Sequence, residues 1–181
     1  LLPSLCVEMA AATKKSDLRP KKSPAQQWLE KKLANCINVY DELTNESSDQ
    51  VTANARQYAK SSPIQTGCRL LSSDGFPEFK GRILDAGSGT GTYSFALAGL
   101  DDVKRIDSVD YTAERVEFSE EVLRRVDANG KVYPQVASIE ELPFDNQSFD
   151  GIFCRGVIFI TNLPKTLQEF YRVLKPGANV Y

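Results

Sequence analysis

The sequence predicts an α/β fold in which helices cover both faces of a mostly parallel β-sheet. From residue 82 onward, short apolar runs alternate with segments of helical periodicity, which is the pattern of repeated β-α-β units. The chain has 181 residues, of which 41% are apolar and 25% charged, as in ordinary globular domains. A chain of this length and composition has enough apolar surface for a sizeable core.

Five strands and three intervening helices follow from this alternation. The strands are predicted near residues 82–86, 105–109, 132–137, 151–155 and 178–181, and the helices near 91–99, 113–127 and 163–174. Because crossovers between parallel strands are right-handed, the predicted strand order is 3-2-1-4-5. A ligand is then expected beyond the carboxyl ends of strands 1 and 4, where the strand order reverses.

The residues before the sheet are predicted to be helical from position 23 onward. Ser23, Pro24 and Gln26 combine a capping serine, a proline at the first helical position and a glutamine placed as in a capping box. Apolar residues then recur at helical spacing, at Trp28, Leu29, Leu33, Cys36, Ile37, Tyr40 and Leu43. We therefore divide the chain into a basic flexible tail at 1–22, a helical cap segment at 23–81 and an α/β core at 82–181.

The distribution of charge argues against a broad nucleic-acid groove. The net charge is −2, but residues 1–35 hold seven basic and three acidic residues, so that 15 basic and 21 acidic residues remain in 36–181. The basic stretch from Lys14 to Lys22 is interpreted as a solvated tail, with nuclear import or contact with RNA as alternatives.

The residue types present exclude several kinds of site. The four cysteines are scattered without a Cys-x-x-Cys pair and the chain has no histidine, so no metal site is expected. Any general base must be Asp, Glu, Tyr, Lys, Cys or water. No apolar run approaches the roughly 18 residues of a transmembrane helix. We therefore expect no membrane span and a cytoplasmic location, with a nuclear or mitochondrial one as alternatives.

The most specific motif is Asp85-Ala-Gly-Ser-Gly-Thr-Gly91, which lies where the first strand ends and a helix begins. Glycines permit a sharp turn and let a ligand approach the loop N–H groups. The carboxylate of Asp85 suits a cofactor that carries a cation, such as the ammonium and sulfonium of S-adenosylmethionine, and does not suit a pyrophosphate. A dinucleotide fingerprint starting at Gly87 needs glycine at position 92, where Thr92 stands. A dinucleotide fold and a purely structural turn remain as alternatives.

This motif resembles the D/E-x-G-x-G-x-G signature of class I S-adenosylmethionine-dependent methyltransferases. Three further segments resemble the same family: Val109-Asp-Tyr111 at the end of strand 2, Glu140 to Asp150 before strand 4, and Arg172 to Gly177 before strand 5. Together they are similar to the type 11 branch, which includes ubiquinone and menaquinone C-methyltransferases. The resemblance covers residues 82–181 and implies a Rossmann-like three-layer sandwich with S-adenosylmethionine as cofactor.

The resemblance also implies a set of cofactor-binding residues. Asp85 and the backbone of Gly87 would hold the methionine ammonium, directly or through water. Asp110 would accept hydrogen bonds from the two ribose hydroxyls, and Tyr111 would pack on the adenine. A helix cap is the alternative role of Asp110. The complete set is Asp85, Ala86, Gly87, Ser88, Gly89, Gly91, Asp110, Tyr111, Ser138, Ile139 and Arg155.

Ser138, Ile139 and Arg155 have more particular expected roles within this set. Ser138 and Ile139 stand where the family usually has Asp followed by an apolar residue in contact with adenine. Since Ser138 replaces the carboxylate, its hydrogen bond is neutral and a weaker cofactor affinity is expected. Arg155 would offer its backbone carbonyl to the methionine moiety, and a surface salt bridge is its alternative role. Phe144 and Phe149 are interpreted as core residues.

The expected function is transfer of a methyl group from S-adenosylmethionine to a small-molecule acceptor by in-line displacement. No residue identifies itself as a general base, and Tyr40, Tyr58 and Tyr93 are candidates only as phenols. A protein or RNA methyltransferase and a noncatalytic cofactor-binding module are the alternatives. The family's sheet has seven strands closed by an antiparallel hairpin, whereas this sequence stops in the fifth, so we expect a fragment of the fold.

Overall fold

The computed structural model describes residues 78–125 and 130–181, together with Gln27, Lys31, Asn38, Val39, Glu42 and Leu43. Its strands are β1 (Gly81–Ala86), β2 (Val103–Asp110), β3 (Val132–Val136), β4 (Phe149–Phe153) and β5 (Leu174–Val180). The helices between them are α1 (Thr92–Ala98), α2 (Ala113–Arg125) and α3 (Leu163–Val173), and a 3₁₀ turn at Ile158–Ile160 precedes α3. The strands form one parallel sheet of order β3-β2-β1-β4-β5, which confirms the predicted topology.

The largest difference from the prediction is the start of β5, which begins at Leu174 and not at residue 178. The Lys-Pro-Gly sequence after it was expected to end the preceding helix and to precede the strand. Instead these residues form a bulge, because β4 advances from Phe149 to Gly151 while β5 advances from Leu174 to Asn179. A strand paired on one side, as β5 is in the described part of the chain, tolerates such a bulge and the missing N–H of proline.

The start of α3 shows why its sequence forms a helix there. The side chain of Asn162 caps the helix by accepting a hydrogen bond from the N–H of Lys165 at 3.3 Å. The buried residues Thr166, Phe170 and Val173 follow at spacings of four and three, so that they share the face directed at the sheet.

Two apolar layers lie on opposite faces of the sheet, and the alternation along each strand produces them. On one face, Ile83, Ile106 and Phe153 pack with residues of α1 and α2. On the other, Leu84, Val109 and Ile152 pack with Phe170 and Val173 of α3. The sheet is therefore buried on both faces at its centre, as the three-layer prediction required.

Little of the predicted helical cap segment lies among the described residues. Val39 and Leu43 are helical, are four residues apart and pack against the layer formed by α1 and α2. Leu43 belongs to the apolar face predicted for this segment. The basic tail at 1–22 and most of the segment at 23–81, including Tyr40 and Tyr58, lie outside the described residues.

The loop between β3 and β4 is held against α3 by the guanidinium of Arg172. Its Nη1 donates to the carbonyl of Phe144 at 2.6 Å, and its Nη2 donates to the carbonyl of Leu142 at 2.9 Å. Glu169 completes the arrangement, because its carboxylate accepts from Arg172 and also from the N–H of Leu142. Arg172 and the loop from Glu140 to Asp150, which are separate motifs along the sequence, thus form one structural unit.

Replacing Arg172 with alanine is expected to lower the free energy of unfolding by about 2 kcal/mol, because two backbone carbonyls lose a charged donor. Urea unfolding measures this loss. Arg124→Ala is the matched control, since Arg124 also pairs with a glutamate three residues away but is 69% exposed. Equal unfolding midpoints for the two variants would contradict the structural role of Arg172.

Two buried positions lie on the sheet's α3 face, and the first of them confirms an interpretation made from the sequence. Phe149 is fully buried and its ring meets that of Phe144 edge to face at 4.9 Å, so both are core residues. Asp107 is buried on the α3 side of the sheet and pairs with Arg82 and Arg105 at 2.7 and 2.8 Å. Burial alone would raise the pKa of Asp107, but hydrogen bonds from the two arginines hold it below its ordinary value.

Candidate functional site

The glycine loop lies at the carboxyl ends of the strands, where β1, β2 and β4 meet. Gly87, Gly89 and Gly91 have φ angles of 74°, 57° and 81°, which is the left-handed region that side chains with a Cβ rarely adopt. Three glycines are therefore needed for the backbone path itself. The atoms next to each glycine show what its missing side chain makes room for.

A Cβ at Gly87 would lie 2.4 Å from Cγ1 of Val157, and a Cβ at Gly91 would lie 2.3 Å from Oγ of Ser119. At these two positions the missing side chain makes room for the protein itself. A Cβ at Gly89 would meet no heavy atom of the described residues within 4 Å. Among the described residues, nothing therefore stands against the backbone at Gly89, so a ligand could approach it closely.

The amides of this loop are turned inward, toward the end of β2. The N–H groups of Gly87 and Ser88 both donate to the carbonyl of Val109, at 2.9 and 2.8 Å. The N–H of Gly89 donates to Oδ2 of Asp110 at 2.8 Å. The expectation that a ligand would lie against the loop N–H groups is thus not met for these three groups. A pyrophosphate needs free donors, so this geometry disfavours the dinucleotide alternative.

Asp110 ends β2 and joins it to the glycine loop. It is 4% exposed, and its Oδ1 accepts from the N–H of Thr112 at 2.9 Å, just before α2. Because Thr112 precedes α2, this contact is a local turn and does not cap the first N–H groups of the helix. The bond to Gly89 is a second contact, and Nη1 of Arg115 lies 3.7 Å from Oδ1. Each carboxylate oxygen has two acceptor sites, so Asp110 retains capacity for hydroxyl donors of a ligand.

Asp85 lies beneath the loop and is 2% exposed. The hydroxyl of Ser94, on α1, lies 2.5 Å from its Oδ2 and 2.9 Å from the hydroxyl of Ser108, on β2. Burial raises the pKa of Asp85 to about 7; the Ser94 hydrogen bond opposes this shift and the charge of Asp110 adds to it. Because ionising this buried carboxyl costs free energy, a cation beside it would stabilise the ionised form.

Ser94 and Ser108 were not singled out from the sequence, although both are fully buried beside Asp85. A signal was present for Ser94, which lies in the apolar stretch Tyr-Ser-Phe-Ala-Leu-Ala, whereas Ser108 lies between Asp107 and Val109 and had none. A buried hydroxyl needs a partner. The partners of Ser94, which are Asp85 and Ser108, are identifiable only in the folded chain, where α1 packs on the face of the sheet to which both side chains point.

The remaining predicted residues lie around the same edge, with different exposures. Tyr111 is 82% exposed and follows Asp110 directly, so its ring is accessible to a flat ligand. The hydroxyl of Ser138 accepts from the N–H of Glu140 at 3.1 Å, and the side chain of Ile139 is buried in the layer beneath α3. Only the backbone of Ile139 is therefore placed to meet a ligand.

Two further groups border the site on the β4 side. Arg155 is exposed, and its guanidinium lies 5.1 Å from the ring centre of Tyr93. Tyr93 also packs on Phe153 at 5.3 Å between ring centres. Burial, with a smaller effect of the Asp85 charge, raises the pKa of the Cys154 thiol to about 11. Cys154 is thus a protonated thiol at neutral pH and not a general base.

The two small side chains of the loop, those of Ala86 and Ser88, have structural roles. Ala86 is fully buried and Ser88 is 8% exposed, so both contribute chiefly backbone to the site. Within the ranges that the structure describes, no three His, Cys, Asp or Glu side chains are grouped as a metal site would require. In that same part of the chain, no helix has the length and apolar character needed to cross a bilayer.

Comparison with known families and proteins gives a consistent assignment. The family model described as a methyltransferase domain matches residues 84–181, more than half of the chain. The ubiquinone/menaquinone biosynthesis C-methyltransferase UbiE of Geotalea daltonii is 35% identical over 102 residues, which cover 55% of this chain and 43% of that protein. The O-methyltransferase cnsE of Penicillium expansum is 29% identical over 117 residues, covering 64% and 40%. The chain spans less than half the length of these relatives.

Solved structures share the fold. The YcgJ protein from Bacillus subtilis is 32% identical with a TM-score of 0.51, covering 55% of this chain and 42% of that one. A protein of Methanococcus maripaludis assigned to the S-adenosylmethionine-dependent methyltransferases is 21% identical with a TM-score of 0.62, covering 75% and 64%. Since the family model extends from the end of β1 through β5, this chain belongs to the class I S-adenosylmethionine-dependent methyltransferases, in their type 11 branch.

Proposed function

We propose that the protein binds S-adenosylmethionine at the glycine loop and transfers its methyl group to a small-molecule acceptor. The observation that carries this proposal is the pair of buried carboxylates, Asp85 and Asp110, on either side of a loop whose amides are engaged internally. Such a site offers negative charge and acceptors, and it suits a ligand with a cation and hydroxyl groups. Named relatives that act in ubiquinone and menaquinone biosynthesis support a small acceptor.

We assign the cofactor contacts residue by residue. Asp85, together with the carbonyl of Gly87, holds the ammonium of the methionine part, directly or through water. Asp110 accepts hydrogen bonds from the ribose hydroxyls, and the exposed ring of Tyr111 packs on the adenine. Gly89 lets the cofactor lie close to the backbone because the space beside it is open.

A second group of residues shapes the rest of the pocket. Ser138 and the backbone of Ile139 lie next to the adenine position, since the N–H of Ala137 donates to the carbonyl of Asp110 at 3.0 Å and brings this loop to the end of β2. The carbonyl of Arg155 faces the methionine part from β4. Ala86, Ser88 and Gly91 maintain the backbone path of the loop.

When bound, S-adenosylmethionine would supply a methyl group activated by its sulfonium; in-line attack by the acceptor on that carbon would break the carbon–sulfur bond and release S-adenosylhomocysteine. The chain's own residues then have two tasks: they orient the cofactor through its charged and hydroxyl ends, and they exclude water from the methyl group. No side chain of the described residues is assigned as a general base, since proton transfer to water suffices for an acidic acceptor.

Calorimetric titration with S-adenosylmethionine and S-adenosylhomocysteine tests the cofactor assignment. We expect binding of both, no binding of NAD, and an affinity for S-adenosylhomocysteine lowered at least about tenfold in Asp110→Ala, because a charged acceptor of hydroxyl donors is lost. Glu114→Gln is the control, since Glu114 is an exposed acid on the first turn of α2. Wild-type affinity in a folded Asp110→Ala variant, or binding of NAD alone, would refute the proposal.

A further inference from the structure

Two arginines share one buried carboxylate near the amino ends of β1 and β2. Arg105 alone engages both oxygens of Asp107, because its Nη2 donates to Oδ1 at 2.8 Å and its Nε donates to Oδ2 at 3.0 Å. Nε of Arg82 donates to the same Oδ2 at 2.7 Å. The side chains of Arg82 and Arg105 are 34% and 45% exposed, whereas Asp107 is buried. The cluster therefore carries one more positive charge than this acid balances.

An aromatic ring lies against each of the two guanidinium groups. Cζ of Arg105 lies 4.1 Å from the ring centre of Tyr133, on β3. Cζ of Arg82 lies 4.8 Å from the ring centre of Phe149 and 5.6 Å from that of Phe144. A guanidinium that is held on a ring and by a carboxylate loses little further freedom when it binds a ligand. Both groups are thus preorganised for binding.

Several N–H donors of the two guanidinium groups are not used by the protein. In the ranges 78–125 and 130–181, neither Nη group of Arg82 and no N–H of Nη1 of Arg105 meets an acceptor. A carboxylate would offer these donors two oxygens in one plane. A phosphate group offers three strong acceptor oxygens in a tetrahedral arrangement, so it can accept from both arginines at once.

Two lysines add positive charge at the same end of the sheet. Asp150, on β4, accepts from the N–H of Arg82 at 2.8 Å and from Nζ of Lys175 at 2.7 Å. The charge of Lys80 also acts on Asp150. The carboxylates of Asp107 and Asp150 thus stand among two arginines and two lysines, and this surroundings favours an additional anion.

We propose that Arg82 and Arg105 form a binding site for a phosphate group, carried by inorganic phosphate or by a small phosphate monoester. The site does not depend on the proposed function, since the glycine loop lies at the opposite, carboxyl ends of the strands. Residues 36–181 hold 15 basic and 21 acidic residues, so a polyanion such as RNA would be repelled beyond this patch. A small anion is therefore the ligand that fits.

Calorimetric titration of the chain with inorganic phosphate and with glycerol phosphate, at pH 8 and constant ionic strength, tests the site. We expect saturable binding with a Kd at or below about 1 mM, and no binding of acetate over the same concentration range. Tighter binding of the ester would identify an organic phosphate as the ligand, and equal affinities would identify the free ion. Either result supports the site.

Three variants distinguish this site from unspecific attraction by charge. Arg82→Lys and Arg105→Lys each keep the positive charge but lose the planar fork of donors, so each should weaken phosphate binding about tenfold. Tyr133→Leu changes no charge but removes the ring against Arg105, and it should weaken binding about threefold. Arg125→Lys is the matched control, because Arg125 is 39% exposed and also forms ion pairs with carboxylates. Its affinity for phosphate should equal that of the wild-type protein.

Several results would overturn the inference. They are a lack of saturable phosphate binding to the folded wild-type protein, unchanged affinity in the arginine variants, and an equal loss in Arg125→Lys. Excess S-adenosylhomocysteine should leave the phosphate affinity unchanged. Competition between the two ligands would place the phosphate in the cofactor pocket and would also reject the site. Titration with S-adenosylhomocysteine alone tests the proposed function separately, so that each proposal can fail without the other.

Discussion

Replacing Asp85 with asparagine is expected to make the protein more stable above pH 7 and, at the same time, a poorer binder of S-adenosylmethionine. Burial raises the pKa of this carboxyl from 3.8 to about 7, so the native state holds the proton more tightly than the unfolded chain does. The free energy of unfolding therefore falls as the pH rises from 3.8 to about 7. Removing the titrating group removes that loss, which amounts to about 4 kcal/mol above pH 7.

The measurement is urea unfolding of both proteins at pH 4 and pH 8. At pH 4 the two free energies of unfolding should be similar, because a protonated carboxyl and an amide are alike in charge. At pH 8 Asp85→Asn should be the more stable. An equal difference at both pH values would show that the ionisation of Asp85 is not the cause.

The ionisation of Asp85 should also appear in the pH dependence of cofactor affinity. The affinity of the wild-type protein for S-adenosylmethionine should rise with pH through about 7, as Asp85 becomes ionised, and that of Asp85→Asn should be roughly tenfold lower at pH 8 without this rise. Ser94→Ala is the informative control. It removes a hydrogen bond that favours the ionised form, so it should move the pH dependence to higher pH while leaving the acid in place. A pH dependence identical in all three proteins would argue against contact between Asp85 and the cofactor.

The second large effect is expected at Gly87, where alanine should lower the free energy of unfolding by about 3 kcal/mol. Two costs combine there: a φ of 74°, which disfavours any residue with a Cβ, and an overlap with Val157 at 2.4 Å. Gly89→Ala shares only the first cost, because no atom of the described ranges lies within 4 Å of a Cβ at Gly89. Its expected loss is about 1 kcal/mol.

Combining Gly87→Ala with Val157→Ala separates the two costs. The smaller side chain at 157 relieves the overlap but not the backbone strain, so the double variant should lose less stability than the sum of the single variants. Thermal or urea unfolding of the four proteins measures the coupling. Equal losses for the Gly87 and Gly89 variants, or strict additivity in the double variant, would mean that Val157 does not press on this loop.

The expectations for Asp85 and Gly87 have different physical causes. Ionised Asp85 is destabilising because its carboxylate is buried beneath the loop, and Gly87 tolerates no side chain because Val157 fills the space beside it. In contrast, Arg172 acts away from the loop, and its loss should lower stability without changing the affinity for S-adenosylhomocysteine. Measuring the free energy of unfolding and the affinity for S-adenosylhomocysteine in variants of Asp85, Gly87 and Arg172 distinguishes residues that form the pocket from residues that support the fold.

The sequence was sufficient for the succession and order of the strands, because alternating apolar patterns reflect burial and because crossovers have one hand. It was also sufficient for the family, since Asp85, the three loop glycines and Asp110 lie close together along the chain. The start of β5 was misplaced because local turn residues do not report the register of a neighbouring strand.

Contacts between residues distant in sequence were decided by the tertiary structure alone. The hydroxyl of Ser94 reaches Asp85 and Ser108 only when α1 packs on the face of the sheet to which these two side chains point, and Val157 meets Gly87 only when β4 lies beside β1. The inward direction of the loop amides likewise depends on the end of β2. Sequence patterns record which face of an element is buried, whereas partners across the sheet depend on strand register and on packing, and these exist only in the folded chain.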